Sequence, residues 1–135
     1  MNLKNLFRVT AVLFMLTGLL WLLMPETTVA SYGPNNIDPF GVYLVQILGT
    51  FNISLAILAF MASRTTNSEA RQGAVITIVL QQLFSAVVNL LAVLGGVIPS
   101  GAGWFGVALN MVFVLAYGYF GFVRTKPTAA PELQT

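Results

Sequence analysis

Four long apolar runs separated by polar gaps organise this chain: about residues 6–24, 41–62, 72–95 and 104–123. Each is close to the roughly 20 residues that an α-helix needs to cross the hydrocarbon core of a bilayer. The runs contain no Asp, Glu or Lys, and the one basic residue within them, Arg8, lies near an end, where its side chain can snorkel to the headgroups. The pattern predicts an all-α fold: an integral membrane four-helix bundle, antiparallel and up-down-up-down, forming a single domain over residues 1–124. A polar tail, 125–135, carries Pro127, Pro131 and Glu132 and reads as a mobile cytoplasmic end. The gaps 63–71 and 96–103 are short enough to make consecutive helices antiparallel neighbours. The longer gap from Pro25 to Phe40, with Tyr32-Gly33-Pro34-Asn35-Asn36 inside it, reads as an ordered outer loop.

Charge adds orientation to this pattern. The six basic residues fall as Lys4 and Arg8 before or within the start of the first run, Arg64 and Arg71 after the second, and Arg124 and Lys126 after the fourth; the other two gaps have none. Lys and Arg near span ends are retained on the cytoplasmic side, so both termini are expected in the cytoplasm of a multi-pass protein of the bacterial inner membrane. Aromatic positions agree: Trp21, Tyr32, Tyr43 and Trp104 fall at the outer interface, and Phe7, Tyr119 and Phe122 at the inner one. The basic start, the first run and Thr28-Val29-Ala30 before Ser31 also resemble a signal peptide. The run exceeds a usual signal-peptide core, which favours an uncleaved first span.

Within the apolar runs, the most specific polar pattern is Thr77, Gln81, Ser85 and Asn89, four residues apart in the third helix. Such a pattern predicts one slowly drifting face turned toward neighbouring helices, where amides find partners. Gln46, Gly49, Thr50 and Ser54 offer a matching face on the second helix, with Asn52 offset from it. Gly106, Asn110 and Tyr117 do so on the fourth, and Thr10, Thr17 and Gly18 more lightly on the first. The functional reading places Gln46, Asn52, Gln81, Gln82, Ser85, Asn89 and Asn110 around a small cavity for a neutral or lipophilic ligand such as a quinone, lipid or pigment. The competing reading is that these residues only pack helices or protomers together, as uncharged polar groups in membranes ordinarily do.

Composition narrows the chemistry. Hydrophobic residues make up 57% of the chain and charged residues 7%, against roughly 25% charged in a typical soluble domain. There is no dense basic run, so no nucleic-acid partner is expected. With no Cys and no His, this chain offers no disulfide, thiol redox centre or imidazole-bound metal, and no metal site or cofactor is predicted. General acid–base catalysis wants a positioned ionisable group, yet the four carboxylates are Glu26, Asp38, Glu69 and Glu132, all outside the runs. An enzyme is therefore not expected. Small multidrug transporters share this length and helix count, but their first-helix Glu has no counterpart in Val9-Thr10-Ala11-Val12-Leu13-Phe14-Met15-Leu16-Thr17.

Several short stretches give a broader likeness: Leu6-Phe7-Arg8 opening the first helix, Pro25 with Tyr32-Gly33 after it, Gln46-Ile47-Leu48-Gly49 and Ser63-Arg64 in the second, and Gly103-Trp104 opening the fourth. In these the chain resembles a group of small bacterial four-helix membrane proteins loosely similar to DoxX-like proteins. The resemblance implies the same inner-membrane architecture and carries no settled activity. Proteins of that group often have an Arg where this chain has Gln46, so a shared polar site is not implied. The expectation is a non-enzymatic accessory, scaffold or self-associating protein, surrounded by membrane lipids and forming a homo-oligomer or part of a larger membrane complex. The alternative is a binding or transport module using the amide-lined cavity.

Overall fold

The computed structural model describes residues 2–32 and 38–123, and the tail 125–135 lies outside them. Among the described residues the regular elements are helical: α1 (Leu3–Leu23), α2 (Pro25–Tyr32), α3 (Pro39–Arg64), α4 (Ser68–Leu94) and α5 (Ser100–Gly118), which continues as a π-helical turn, Tyr119–Val123. Helices α1, α3, α4 and α5 with its π-helical turn are long and apolar enough to cross a membrane, by length and composition. All four begin earlier than their apolar runs, and in three of them a polar side chain caps the extra turn. Asn2 accepts a hydrogen bond from the Asn5 N–H at 2.9 Å, Asp38 from Phe40 at 3.3 Å, and Asn67 from Glu69 and Ala70 at 2.9 and 3.1 Å. Each satisfies first-turn donors that the helix itself leaves open.

The gap between Pro25 and Phe40 is not all loop. Pro25, whose fixed φ suits a first helical turn, and Glu26, favourable at a positive helix end, start α2 directly after Met24. The Thr28 hydroxyl donates to the Met24 carbonyl at 3.2 Å and the Ser31 hydroxyl to the Thr28 carbonyl at 2.7 Å. Turn-forming residues in the gap thus bond locally to a helix instead of breaking one. At the connection between α4 and α5, Gly96 adopts φ +68°. Its N–H donates to the Val93 carbonyl and that of Val97 to the Ala92 carbonyl, a Schellman closure of α4 that needs the left-handed residue at this place.

The helices pack mainly as two pairs, α1 with α3 and α4 with α5. Glycine brings each pair close. A Cβ on Gly18 would lie 2.8 Å from the Gly49 carbonyl oxygen, and one on Gly49 would lie 2.9 Å from that of Gly18. In the second pair Gly103 meets Val93, Gly106 meets Asn89, and Gly121 meets Val75. Where water does not drive helices together, such small residues allow the close backbone contact that does.

The two pairs join at one end, the base, where the first turns of α1 and α4 meet the last turns of α3 and α5. Leu6, Phe7 and Ala11 of α1, Ala59 and Ala62 of α3, and Ala74, Val75 and Ile78 of α4 bury themselves there around Tyr117 of α5. The Phe7 and Tyr117 rings lie 5.3 Å apart, tilted by 57°, and Phe14 and Phe113 lie 5.4 Å apart a level further in. The Tyr117 hydroxyl donates to Thr10 Oγ1 at 2.8 Å, a buried bond between α1 and α5. Phe7, read from sequence as an interfacial aromatic, is fully buried, because the ring fills the space that the alanines of α3 and α4 leave open.

Candidate functional site

The polar residues of α4 divide between two faces. The inward face runs Ala74, Val75, Ile78, Gln82 and Ala86, all buried. The outward face runs Thr77, Gln81, Phe84, Val88 and Leu91, all exposed, with Phe84 and Val88 each at 65%. Thr77, Gln81, Ser85 and Asn89 therefore do not form the single inward face expected from their spacing. A step of four residues overshoots a turn by about 40°, so three steps rotate the line by about 120°. Thr77 and Gln81 point away from the other helices, while Ser85 and Asn89 are half-buried, and Asn89 faces Gly106 of α5.

The remaining residues of the predicted constellation are scattered. Gln46 and Asn52 are half-buried on α3, and Asn110 is half-buried on α5. The Asn52 amide donates to the Leu48 carbonyl at 3.0 Å; nearby, Thr50 and Ser54 donate to the Ile47 and Thr50 carbonyls at 2.7 and 3.0 Å. Thr77 likewise donates to Gly73 at 2.9 Å. These groups are satisfied by the carbonyls of their own helices, a bond that Ser, Thr and Asn side chains readily make. The side chains of Gln46, Gln81, Gln82, Ser85, Asn89 and Asn110 make no hydrogen bond to the described residues, and of these Gln81 is the exposed one, midway along α4.

The outward face has a second property. Its members are spaced by four, three, four and three residues, the a/d repeat that lets one helix interlock with another along its length. Gln81 is the one amide in a row otherwise built of Thr, Phe, Val and Leu. In coiled coils a single polar residue at such a position fixes register and oligomeric state. Sequence reading missed the row because the polar residues drew attention to a spacing of four.

A different concentration of chemistry lies at the base, on the outer side of the α1/α3 pair. There a groove of about 740 Å³ carries Arg8, Ser63 and Arg64 at its rim and Val12, Leu16 and Ile57 deeper in. Phe60 also lines it, and the Arg64 guanidinium sits 5.5 Å from the Phe60 ring centroid, within cation–π range. None of Gln46, Asn52, Gln81, Ser85, Asn89 and Asn110 lines this groove. Arg71 folds back onto the end of α3, where its guanidinium donates to the Thr65 carbonyl. No group of His, Cys, Asp or Glu that could hold a metal ion occurs among the described residues.

No curated protein and no solved structure matches the chain. One family model does, and its match runs over residues 1–122, taking in α1 to α5 and most of the π-helical turn. The chain accordingly belongs to the family described as Domain of unknown function (DUF8292).

Proposed function

We propose that this protein is a four-helix, up-down-up-down component of the bacterial inner membrane with both termini cytoplasmic, and that it acts without catalysis, by associating with copies of itself through the outward face of α4. The observation that carries this reading is Gln81: an exposed amide, midway along an apolar helix and within an a/d row, with no hydrogen-bond partner among the described residues. An amide in hydrocarbon costs free energy until it finds a partner, and the same residue on a second copy is one. Burial within the protomer is sparse in all four spans: 33%, 17%, 28% and 6% of the apolar windows of α1, α3, α4 and Ser100–Val123 are buried, which leaves wide apolar surface for lipid or for other copies. Membrane orientation rests on the distribution of Lys and Arg.

Measuring the mass of the full chain in mild detergent and in lipid nanodiscs tests the proposal. A discrete homo-oligomer is expected, and Gln81→Leu should weaken association by about threefold to twentyfold, the equivalent of one interhelical amide bond. A protein that stays monomeric over a wide concentration range in both media contradicts it.

A further inference from the structure

We infer that the groove between α1 and α3 at the base holds an anionic phospholipid, its headgroup against Arg8 and Arg64 and one acyl chain along the apolar walls. The inference rests on the membrane placement proposed above. Arg8 on α1 and Arg64 on α3 stand at the same end of two antiparallel helices and line one continuous groove. From Arg8 to Leu16 and from Arg64 to Ala56 is eight residues each, so both walls descend about 12 Å from the two cations. The groove thus grades from cationic to apolar along the direction in which a phospholipid grades from headgroup to chain.

Charge complementarity selects the class of lipid. The described carboxylates are Glu26 in α2, Asp38 at the start of α3 and Glu69 in the first turn of α4, and none lines the groove. Two guanidiniums without a lining carboxylate favour a phosphodiester that keeps its net negative charge over a zwitterion that neutralises it. Phe60 holds the Arg64 guanidinium over its ring, which limits how far that side chain wanders and prepares one half of the headgroup clasp. Ser63, buried at the rim, has its hydroxyl already committed to the Phe60 carbonyl at 2.7 Å, so the recognition falls to the two arginines. Lipid tails are as apolar as the walls, so the cations supply the selectivity and the groove supplies the place.

Native mass spectrometry of the delipidated full chain, titrated with phosphatidylglycerol or phosphatidylcholine of equal acyl length, tests this. The first phosphatidylglycerol should bind about tenfold or more tightly than phosphatidylcholine, and the Arg8→Gln/Arg64→Gln double variant should erase that ratio. Leu16→Trp, a substitution at an exposed position that fills the groove, should reduce binding of both lipids with all charges intact. Lys4→Gln, which removes a charge at the same end but outside the groove, should leave the ratio unchanged. Equal binding of the two lipids by the unsubstituted protein, or an equal loss in Lys4→Gln, overturns the inference. So does efficient disulfide crosslinking of a Leu16→Cys variant to a second copy, since the groove would then be a protein interface. Recovery of every variant in the membrane fraction separates these outcomes from failure of the membrane placement, and oligomer mass separates them from failure of self-association.

Discussion

Gln81 and Gln82 are neighbours in the chain and opposites in the fold. Gln82 sits on the inward face of α4, 7% exposed and in line with Val75 and Ile78 of the base core. Gln81, about 100° further round the helix, lies in an exposed row of Thr, Phe, Val and Leu. The inward face is covered within one protomer at Ala74, Val75 and Ile78, where Tyr117, Phe7 and the alanines of α3 pack in the same core, while the buried Gln82 amide makes no hydrogen bond to the described residues. Among the described residues nothing covers the outward face, whose members are all exposed. The pair teaches that polarity alone does not set a residue's role in an apolar helix: what lies opposite the residue does. If this contrast is right, substitutions on the inward face change the stability of the single protomer, and substitutions on the outward face change only how copies associate.

The largest effect is expected at Ile78, fully buried in the base core. Ile78→Ala should cost about 2 kcal/mol of protomer stability, the low end for such truncations because the cavity remains while the transfer from lipid contributes little. Titration with a denaturing detergent measures it. Gly121→Ala comes next. Its new Cβ would lie 2.6 Å from Val75 Cγ1, and overpacking of this kind should cost about 1 to 3 kcal/mol in the same titration. Tyr117→Phe removes only the hydroxyl that bonds Thr10 and should cost about 0.6 kcal/mol, the mean for interhelical bonds in lipid. On the outward face, Phe84→Ala and Val88→Ala should leave protomer unfolding within about 0.5 kcal/mol of the unsubstituted chain while lowering oligomer yield. A protomer unfolded by Phe84→Ala, or untouched by Ile78→Ala, would break the contrast.

Much of the fold was readable before any coordinates, for a physical reason. Spanning length and hydrocarbon thickness are matched, so four runs of about 20 apolar residues announce four long helices, and short polar gaps between them leave few ways to connect. Rotation about each helix axis was not readable in the same way. At Thr77, Gln81, Ser85 and Asn89, a spacing of four resembles one face over two turns and departs from it over four. The apolar residues around them gave no counterweight, since lipid and protein interior are equally apolar. Helix α2 was hidden by side chains such as Thr28 and Ser31 that serve turns as readily as helices. That Phe7 packs into the base core was not readable, because an aromatic near a span end suits both an interface and a core. Arg8 and Arg64 were fully accounted for by topology, which concealed that α1 and α3 bring them to a shared groove.

The lack of native cysteine allows a direct test of the central claim, that the outward face of α4 joins copies of this protein. Single cysteines placed at Thr77, Phe84 and Val88 on one face, and at Val75 and Ile78 on the other, report by oxidative crosslinking in native membranes. The account predicts disulfide-linked dimers at positions 77, 84 and 88 and none at 75 and 78. Crosslinks absent from the outward face, or no weaker at 75 and 78, would contradict it.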